Sequence, residues 1–477
     1  MKILITVHQF LPEFSTGTEV IALGIARELR ARGHRVLVVT GFPDARRLPD
    51  AERFDRYEYD GIPVERFRHS PHPMGTQRAV TELAYDNRLF AAEFGGVLAR
   101  FAPDLVHFVH LSRLSASVVG PCVERGIPTV FTATDFWAVC PFSQLRLPDQ
   151  SICAGPDPSA LNCVRHLVAG SGARRASLLG LARRAPDWVL GLGVRAAEMR
   201  LPLAPPAMDE VAALARRQGF VREQLGRVDR VLAPSRLMER TLAAGGIAPG
   251  RVMHLPYGID TAGIARRTDR GSGPALRLGF VGSLTEHKGL AVAVGAVRRL
   301  APEAPVELAV YGAPGDGPAA RAYLDAVRSL AGGDPRIRFH GPFANREVGA
   351  VLESLDALVV PSLWHENTPL VVYEAFAAGC PVVASDVEGI AEVVRHGVDG
   401  LLFARGDADA LAAALLRLAG DRARLAALAG QTRPPLSVGE HVDRLESVYA
   451  DVLAGRAERR RPPSRAGDRP PAELRTP

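Results

Sequence analysis

The sequence predicts an α/β protein built from two doubly wound, parallel-sheet domains. Its 477 residues exceed what a single hydrophobic core usually organises. Short apolar runs alternate with helical patterns in two separate series, which is typical of βαβ units on parallel sheets. The first series includes KILITV, RVLVVT and PTVFTAT, and the second includes LRLGFVGS, VELAVYG and PVVASD.

The boundary between the two series falls in LPYGIDTAGIARRTDRGSGPALRL, where turn residues and charges interrupt the pattern. We therefore expect an N-terminal Rossmann-like domain over residues 1–255 and a C-terminal one over 262–432. An Arg-, Leu- and Ala-rich segment, about 168–227, predicts helices inserted late in the first domain. A helix over 437–454 and a disordered Pro/Arg-rich tail over 455–477 complete the expected order.

The composition favours some classes of protein and ligand over others. Hydrophobic residues make up 47% and charged residues 23%, a soluble globular balance. The N-terminus lacks the features of a signal peptide and no apolar run reaches the length of a membrane span, so the cytoplasm is the expected location. The net charge of +6 favours phosphate-bearing ligands or an anionic membrane surface over nucleic acid.

Residues 172–200 mix arginines with leucines and a tryptophan. Such a segment suits peripheral contact with the inner face of the membrane. It suits packing against the first domain equally well, and the sequence leaves both alternatives open.

Two glutamates bracket a predicted helix start in HENTPLVVYEAFAAG. LDALVVPS predicts a buried strand, so Glu366 would lie on the loop at its carboxyl end. Thr368 suits the N-cap and Pro369 the first helical position, because proline lacks the N–H that is unpaired there anyway. The helix would stop at Gly379, with Glu374 about one and a half turns inside it.

The start of this helix is a candidate anion site. Its free N–H groups, near Leu370 and Val371, would act together with the helix dipole. Carboxylates accept hydrogen bonds from hydroxyls, so the layout suits a diphosphate that joins a ribose to a second sugar. Taken alone, the spacing favours a plainer interpretation, in which Glu366 is a loop carboxylate and Glu374 a surface residue.

These motifs resemble the E-x7-E region of retaining GT-B glycosyltransferases of the GT4 type. VDRVLAPSRLMERTLAAGGIAPGRVMHLPYGID resembles the end of the family's first domain, and LGFVGSLTEHKGL its phosphate-binding loop. The resemblance covers nearly the whole chain. It implies a GT-B fold whose C-terminal helix crosses back to the first domain. It also implies metal-independent sugar transfer, with retention, from a UDP- or GDP-sugar to an unidentified acceptor in polysaccharide or glycolipid synthesis.

The resemblance also implies roles for individual residues. Glu374 would hold the ribose hydroxyls, Glu366 would hold the donor sugar and support the reacting centre, and Lys288 would neutralise the leaving diphosphate. Lys288 is conspicuous because it and Lys2 are the only lysines in an arginine-dominated chain. The implied donor-binding residues besides Glu374 are Gly17, Ser283, Asn367, Thr368, Pro369, Leu370 and Val371.

Three positions depart from the family's usual pattern. Ser283 stands where relatives often have an arginine, and Thr16 replaces a second glycine beside Gly17. Thr134 stands where many relatives have a histidine, and a threonine cannot titrate near neutrality. Asp135 is therefore the candidate for acceptor binding and the third candidate catalytic residue.

Several alternatives stay open at this point. His107 and His110 are lower-ranked acceptor-side candidates, since a histidine at a strand end is more often structural. Asp407 and Asp409 form an Asp-x-Asp that predicts a helix N-cap rather than a metal site. Because Thr134 departs from the family pattern, a nucleotide-sugar-binding protein without activity is one alternative function. A nucleotide-sugar epimerase on the same fold is another.

The remaining motif is a cysteine-rich segment with little periodicity, CPFSQLRLPDQSICAGPDPSALNCVRH. Cys140, Cys153, Cys163 and His166 could close a tetrahedral structural zinc site. Free or merely buried thiols are the alternative. A disulfide is disfavoured in the expected cytoplasm.

Overall fold

The computed structural model describes residues 1–170, 185–199, 206–315 and 317–460. The sheet of the N-terminal domain has eight strands in the order β3-β4-β2-β1-β5-β6-β7-β8. All neighbouring pairs are parallel except β3 with β4. The strands are β1 (Lys2–Val7), β2 (Arg35–Pro43), β3 (Phe54–Tyr59), β4 (Ile62–His69), β5 (Leu105–Phe108), β6 (Thr129–Thr132), β7 (Arg230–Ala233) and β8 (Val252–His254).

The second sheet has six strands in the order β12-β11-β10-β13-β14-β15, all of them parallel. Its strands are β10 (Leu276–Val281), β11 (Val306–Tyr311), β12 (Ile337–Gly341), β13 (Ala357–Val360), β14 (Val382–Ser385) and β15 (Gly400–Phe403). A separate pair, β9 (Gly258–Ile259) with β16 (Leu436–Ser437), joins the two chain crossings between the domains.

Helices cover both sheets, as parallel βαβ units require. Those described in the first domain are α1 (Gly17–Ala31), α2 (Val80–Leu83), α3 (Arg88–Phe101), α4 (Val119–Glu124), α5 (Leu161–Gly170), α6 (Asp187–Glu198), α7 (Pro206–Gly226) and α8 (Arg236–Ala244). Those that follow are α9 (Leu290–Arg299), α10 (Pro318–Ala331), α11 (Val348–Ser354), α12 (Leu370–Ala377), α13 (Ala408–Gly420), α14 (Arg422–Gly430) and α15 (Val438–Arg460).

The strand order reverses direction beside β1 in the first sheet and beside β10 in the second. In open α/β sheets, ligands bind beyond the carboxyl ends of the strands at such reversal points. The loops after β1, β6, β10 and β13 therefore set the position of the candidate site.

The last helix crosses back to the first domain. Its buried side chains join the same core cluster as residues of β1, α1 and β2. Arg32, which follows α1 directly, adds an ion pair to Glu446 at 2.6 Å. The apolar stripe that faces this core is Val442, Leu445, Val448, Tyr449 and Val452.

The length of α15 differs from the sequence expectation. The helix continues to Arg460, so residues 455–460 are helical rather than part of a disordered tail. Residues 461–477 lie outside the described residues. The extension has a contact to stabilise it, because Arg456 forms an ion pair with Asp229 of the first domain at 2.7 Å.

Tyr449→Phe is expected to lower the free energy of unfolding by about 1–3 kcal/mol, the cost of leaving a buried polar group unpaired. The Tyr449 hydroxyl lies 2.7 Å from Nδ1 of His107, whose Nε2 contacts Thr132 at 2.8 Å. Chemical denaturation measures the loss. Tyr57→Phe is the control and should cost less, since its hydroxyl bonds a carbonyl from a half-buried position. Equal losses of unfolding free energy in the two variants would contradict a stabilising role for the buried hydrogen bond between Tyr449 and His107.

The predicted inserted helices appear as α5, α6 and α7, although residues 171–184 and 200–205 of this region lie outside the described residues. On α6, Leu190 and Val194 are buried, whereas Trp188 is 70% exposed and Leu192 58% exposed. Among the described residues, no helix combines the length and the apolarity needed to cross a bilayer. The expected contact with a membrane surface stays a prediction.

Candidate active site

A cleft of about 350 Å³ lies between the two domains at the carboxyl ends of the sheets. Its walls come from the loops after β1, β6, β10 and β13 and from the first turns of α1 and α12. The structure gathers there every residue predicted to be catalytic or donor-binding. These are Gly17, Asp135, Ser283, Lys288, Glu366, Asn367, Thr368, Pro369, Leu370, Val371 and Glu374.

Glu366 forms the centre of a buried charge network. Its side chain is 5% exposed, and Lys288 Nζ lies 2.8 Å from Oε1 and 3.0 Å from Oε2. The Ser362 hydroxyl and the Trp364 indole N–H also donate to Oε1, at 2.7 and 2.9 Å. Burial raises the pKa of Glu366, but Lys288 and these two donors outweigh it and hold the pKa below its ordinary value. Glu366 is therefore ionised at neutral pH.

Lys288 is presented by a tight turn between β10 and α9. The turn ends at Gly289, which has a left-handed φ of 75°. A Cβ at this glycine would lie 1.8 Å from the Pro361 carbonyl oxygen of the loop after β13. The close approach brings the two loops together and so seats Lys288 against Glu366.

Gly289→Ala is expected to destabilise the protein by more than about 2 kcal/mol and to reduce activity, because left-handed strain of 1–2 kcal/mol adds to the clash with Pro361. Gly263→Ala is the matched control. Gly263 has a similar φ of 82°, but a Cβ there would meet nothing within 4 Å. Thermal unfolding of both variants separates strain from clash, and equal shifts would contradict the close approach.

Glu374 presents the second carboxylate from inside α12. Burial raises its pKa to about 7. The two glutamates of the motif therefore differ, since the pKa of Glu366 lies below its ordinary value and the pKa of Glu374 lies above it. A carboxylate of this kind gains most from a ligand whose hydroxyl groups donate to it.

The start of α12 differs by one residue from the sequence expectation. Pro369 occupies the N-cap rather than the first helical position, and no described side chain caps the helix. Thr368, predicted as the cap, adopts a left-handed φ of 75°. The helix ends at Ala377 and Gly379 follows with a φ of 70°. Leu370 and Val371 of this uncapped first turn line the cleft, which is where an anion site requires them.

On the acceptor side, Asp135 is fixed by two hydrogen bonds. Its Oδ1 accepts from the Trp137 backbone N–H at 2.7 Å, and its Oδ2 lies 3.0 Å from His110 Nε2. The Ser112 N–H donates to His110 Nδ1 at 2.9 Å, so the neutral ring carries its proton on Nε2 and donates it to Asp135. His110 thus orients Asp135. His107 instead connects β5 to α15, through Tyr449.

The predicted zinc site is not formed, which corrects that expectation. Among the described residues, no three His, Cys, Asp or Glu side chains are grouped closely enough to hold a metal ion. The His166 ring stacks on Phe142 with centroids 3.9 Å apart. Burial raises the pKa of the Cys163 thiol to about 12, and Cys153 Sγ accepts from the Gly155 N–H at 3.4 Å. These thiols serve packing and local hydrogen bonds.

The Asp-x-Asp pair, Asp407 and Asp409, lies at the start of α13. The Asp407 carboxylate accepts hydrogen bonds from the backbone N–H groups of Asp409 and Ala410, at 3.0 and 2.8 Å. Asp407 is therefore the N-cap of α13, which confirms that prediction.

Trp364 is the site residue that sequence reasoning missed. Its N–H holds Glu366, its ring centroid lies 5.6 Å from Lys288 Nζ, and its ring meets Phe136 edge-on across the domain boundary at 6.5 Å. The sequence feature that could have indicated it is the position of this tryptophan, two residues before the motif glutamate in a chain with three tryptophans. Its indole stabilises the ammonium through its π face and the carboxylate through its N–H.

Family models match both domains of this architecture. The model described as "Glycosyl transferase 4-like domain" matches residues 16–258, and the one described as "Glycosyl transferases group 1" matches residues 275–421. The chain belongs to the group 1 glycosyl transferase family. The second match includes Lys288, Glu366 and Glu374.

Individual curated proteins that are similar to this chain are also glycosyltransferases. The amylovoran biosynthesis glycosyltransferase AmsK of Erwinia amylovora is 32% identical over 44% of this chain and 53% of its own length. The D-inositol 3-phosphate glycosyltransferase of Stackebrandtia nassauensis is 36% identical over 46% of this chain and 53% of its own. The matched stretch thus spans about half the length of these curated relatives.

A solved structure extends the comparison to the whole fold. Anabaena HepE, in a complex with UDP and glucose, superimposes with a TM-score of 0.62 at 17% identity, over 94% of this chain and 99% of the other. At that identity the likeness shows the fold, which is GT-B. This group 1 chain therefore has the two-domain architecture that its sequence predicts.

Proposed function

We propose that this chain is a retaining glycosyltransferase that moves a sugar from a nucleotide-sugar donor to an acceptor hydroxyl. One observation carries the proposal. A buried Glu366, paired with Lys288 on the loop before α12, and Glu374, inside that helix, line one cleft at two depths. A diphosphate at the start of this helix would have a hydroxyl-binding carboxylate on each side, for the donor sugar and for the ribose.

The proposed reaction uses the protein mainly for positioning and charge stabilisation. The acceptor oxygen forms a bond to the anomeric carbon on the face that the diphosphate leaves. The bond from that carbon to the diphosphate oxygen breaks, and the acceptor proton passes to the same leaving oxygen. Lys288 and the N–H groups of α12 balance the growing negative charge, so the proposal requires no divalent metal.

The acceptor side follows from the geometry of Asp135. With its side chain 35% exposed and held by His110, Asp135 can accept a hydrogen bond from an acceptor hydroxyl at the cleft wall. The cleft is consistent with a sugar acceptor. The amylovoran biosynthesis relative supports polysaccharide or glycolipid assembly as the setting, in the cytoplasm or at the inner membrane face.

A panel of UDP- and GDP-sugars tests the proposal. We expect one donor to raise the melting temperature, because a ligand that binds the folded state alone stabilises it. That donor should then be consumed with a sugar acceptor, and proton NMR of the product should show the donor's anomeric configuration. Binding without turnover would favour an inactive nucleotide-sugar-binding protein, and a free epimeric sugar nucleotide would favour an epimerase. Absence of binding by every donor would overturn the proposal.

A further inference from the structure

Asn367 is predicted from the sequence to contact the donor, yet its side chain reaches across the cleft to the first domain. Its Nδ2 donates to the Ala133 carbonyl at 2.9 Å. Its Oδ1 accepts from the Ser235 hydroxyl at 2.7 Å. Both functional groups of the amide are thus committed to residues more than 130 positions away, on the loops after β6 and β7.

The chemistry of the partners fixes the orientation of the amide. A carbonyl oxygen can only accept, so the NH₂ group must face Ala133. The Ser235 hydroxyl accepts from the Met238 N–H at 3.0 Å as the N-cap of α8, so its proton is available for Asn367. The result is a continuous chain of hydrogen bonds from α8 through Asn367 to the loop after β6.

The hydrogen bond from Asn367 to Ala133 joins two loops of the candidate site. Ala133 lies two residues before Asp135, the candidate acceptor ligand. Asn367 follows Glu366 directly and precedes Thr368, whose left-handed φ of 75° fixes the course of the backbone into α12. Displacing one loop relative to the other would therefore separate the acceptor carboxylate from the donor site.

Further contacts surround this bridge on the outer rim. Glu392 accepts from the backbone N–H groups of Arg236 and Leu237 at 2.7 and 2.6 Å, at the start of α8. Arg240 forms an ion pair with Glu388 at 2.6 Å. These contacts also join the domains, but they lie at exposed side chains, where charges are screened by solvent. Of these polar contacts, that of Asn367 borders the cleft.

We infer that Asn367 is a positioning residue that ties the acceptor-side loop carrying Asp135 to the donor-side loop carrying Glu366. Its side chain does not hold the donor. It assembles the two halves of the site when the domains close, and Ser235 acts with it as a unit. The inference rests on the proposed function for its kinetic consequence, whereas its structural consequence is independent of any substrate.

The kinetic experiment compares Asn367→Ala, Ser235→Ala and the double variant. We expect Asn367→Ala to lower kcat for transfer about 10-fold or more, the effect of losing bridging hydrogen bonds in the assembled site. Binding of UDP, the probe, should change less than about 3-fold. Donor hydrolysis should fall less than transfer, because water needs no ordered acceptor loop. The double variant should be no worse than Asn367→Ala, since both remove the same bridge.

Asn367→Asp separates the two hydrogen bonds. It keeps an acceptor for Ser235 but turns a carboxylate oxygen towards the Ala133 carbonyl, so transfer should fall at least as far as in Asn367→Ala. Two results would overturn the inference and return Asn367 to the donor site. One is a double variant whose fold-loss of kcat is the product of the losses in Asn367→Ala and Ser235→Ala. The other is a loss of UDP binding as large as the loss of transfer.

Small-angle X-ray scattering of the ligand-free protein tests the bridge without a substrate. We expect Asn367→Ala to have a larger radius of gyration than the wild type, and Asn162→Ala, which removes a hydrogen bond within the first domain at the start of α5, to match the wild type. Unchanged scattering of Asn367→Ala would overturn the inference whatever the activity. Failure of the wild type to bind any nucleotide sugar would overturn the proposed function. The scattering of Asn367→Ala would still test whether Asn367 holds the two domains together.

Discussion

Lys288→Ala is expected to lower the turnover of sugar transfer by about 10³-fold, with a much smaller effect on nucleotide binding. Negative charge on the diphosphate grows as its bond to the sugar breaks, so a cation at that place stabilises the transition state more than the bound donor. The variant also leaves Glu366 buried without its ion-pair partner. The pKa of Glu366 should then rise, because burial would no longer be outweighed by the ammonium.

Two variants separate these effects. Lys2→Ala removes the other lysine of the chain, whose Nζ donates to the Phe101 carbonyl far from the cleft, and should keep wild-type turnover. Adding Glu366→Gln to Lys288→Ala should recover stability, since no buried charge remains, without recovering turnover. Single-turnover rates and donor titrations measure the two quantities. Wild-type turnover in Lys288→Ala would contradict the role of the lysine in the reaction.

Glu374→Gln is expected to weaken donor binding about 10-fold or more and to remove its pH dependence. The free protein holds Glu374 at a pKa of about 7. Ribose hydroxyls donate to the ionised form and therefore lower that pKa in the complex. Donor affinity should be complete above pH 7 and should fall as the pH drops through 7, about tenfold per unit until the pKa of the complex is reached.

The stability of the free protein should show the opposite dependence. Glu374 has a raised pKa in the fold, so the stability that its protonated form contributes is present below the unfolded pKa of 4.5 and is lost as the pH rises through 7. Glu374→Gln should thus unfold at a higher temperature than the wild type at pH 8. Glu353→Gln, on the exposed face of α11, is the control. A wild-type affinity that is constant from pH 6 to 8 would contradict the shifted pKa.

Local patterns in the sequence predicted part of the structure around this cleft. The apolar run LDALVVPS indicated that Glu366 would lie at a strand end, and parallel strands bring their carboxyl ends to one edge of a sheet. The roles of Lys288 and Asp135 came instead from the family resemblance. The same patterns predicted the Asp407 N-cap. The cysteine-rich segment misled the prediction, because the spacing of Cys140, Cys153 and Cys163 carries no information on where the His166 ring will pack.

The order of amino acids specifies the available residue types and the short segments that become strands, turns and helix starts. The partners of these residues depend on the packing of the whole fold. Glu366 pairs with Lys288 across 78 positions, Asn367 reaches Ala133 across 234, and His107 meets Tyr449 across 342. Backbone conformation depends mostly on near neighbours along the chain. Such distant pairs depend on how two whole domains and a returning helix pack together, which no local pattern encodes.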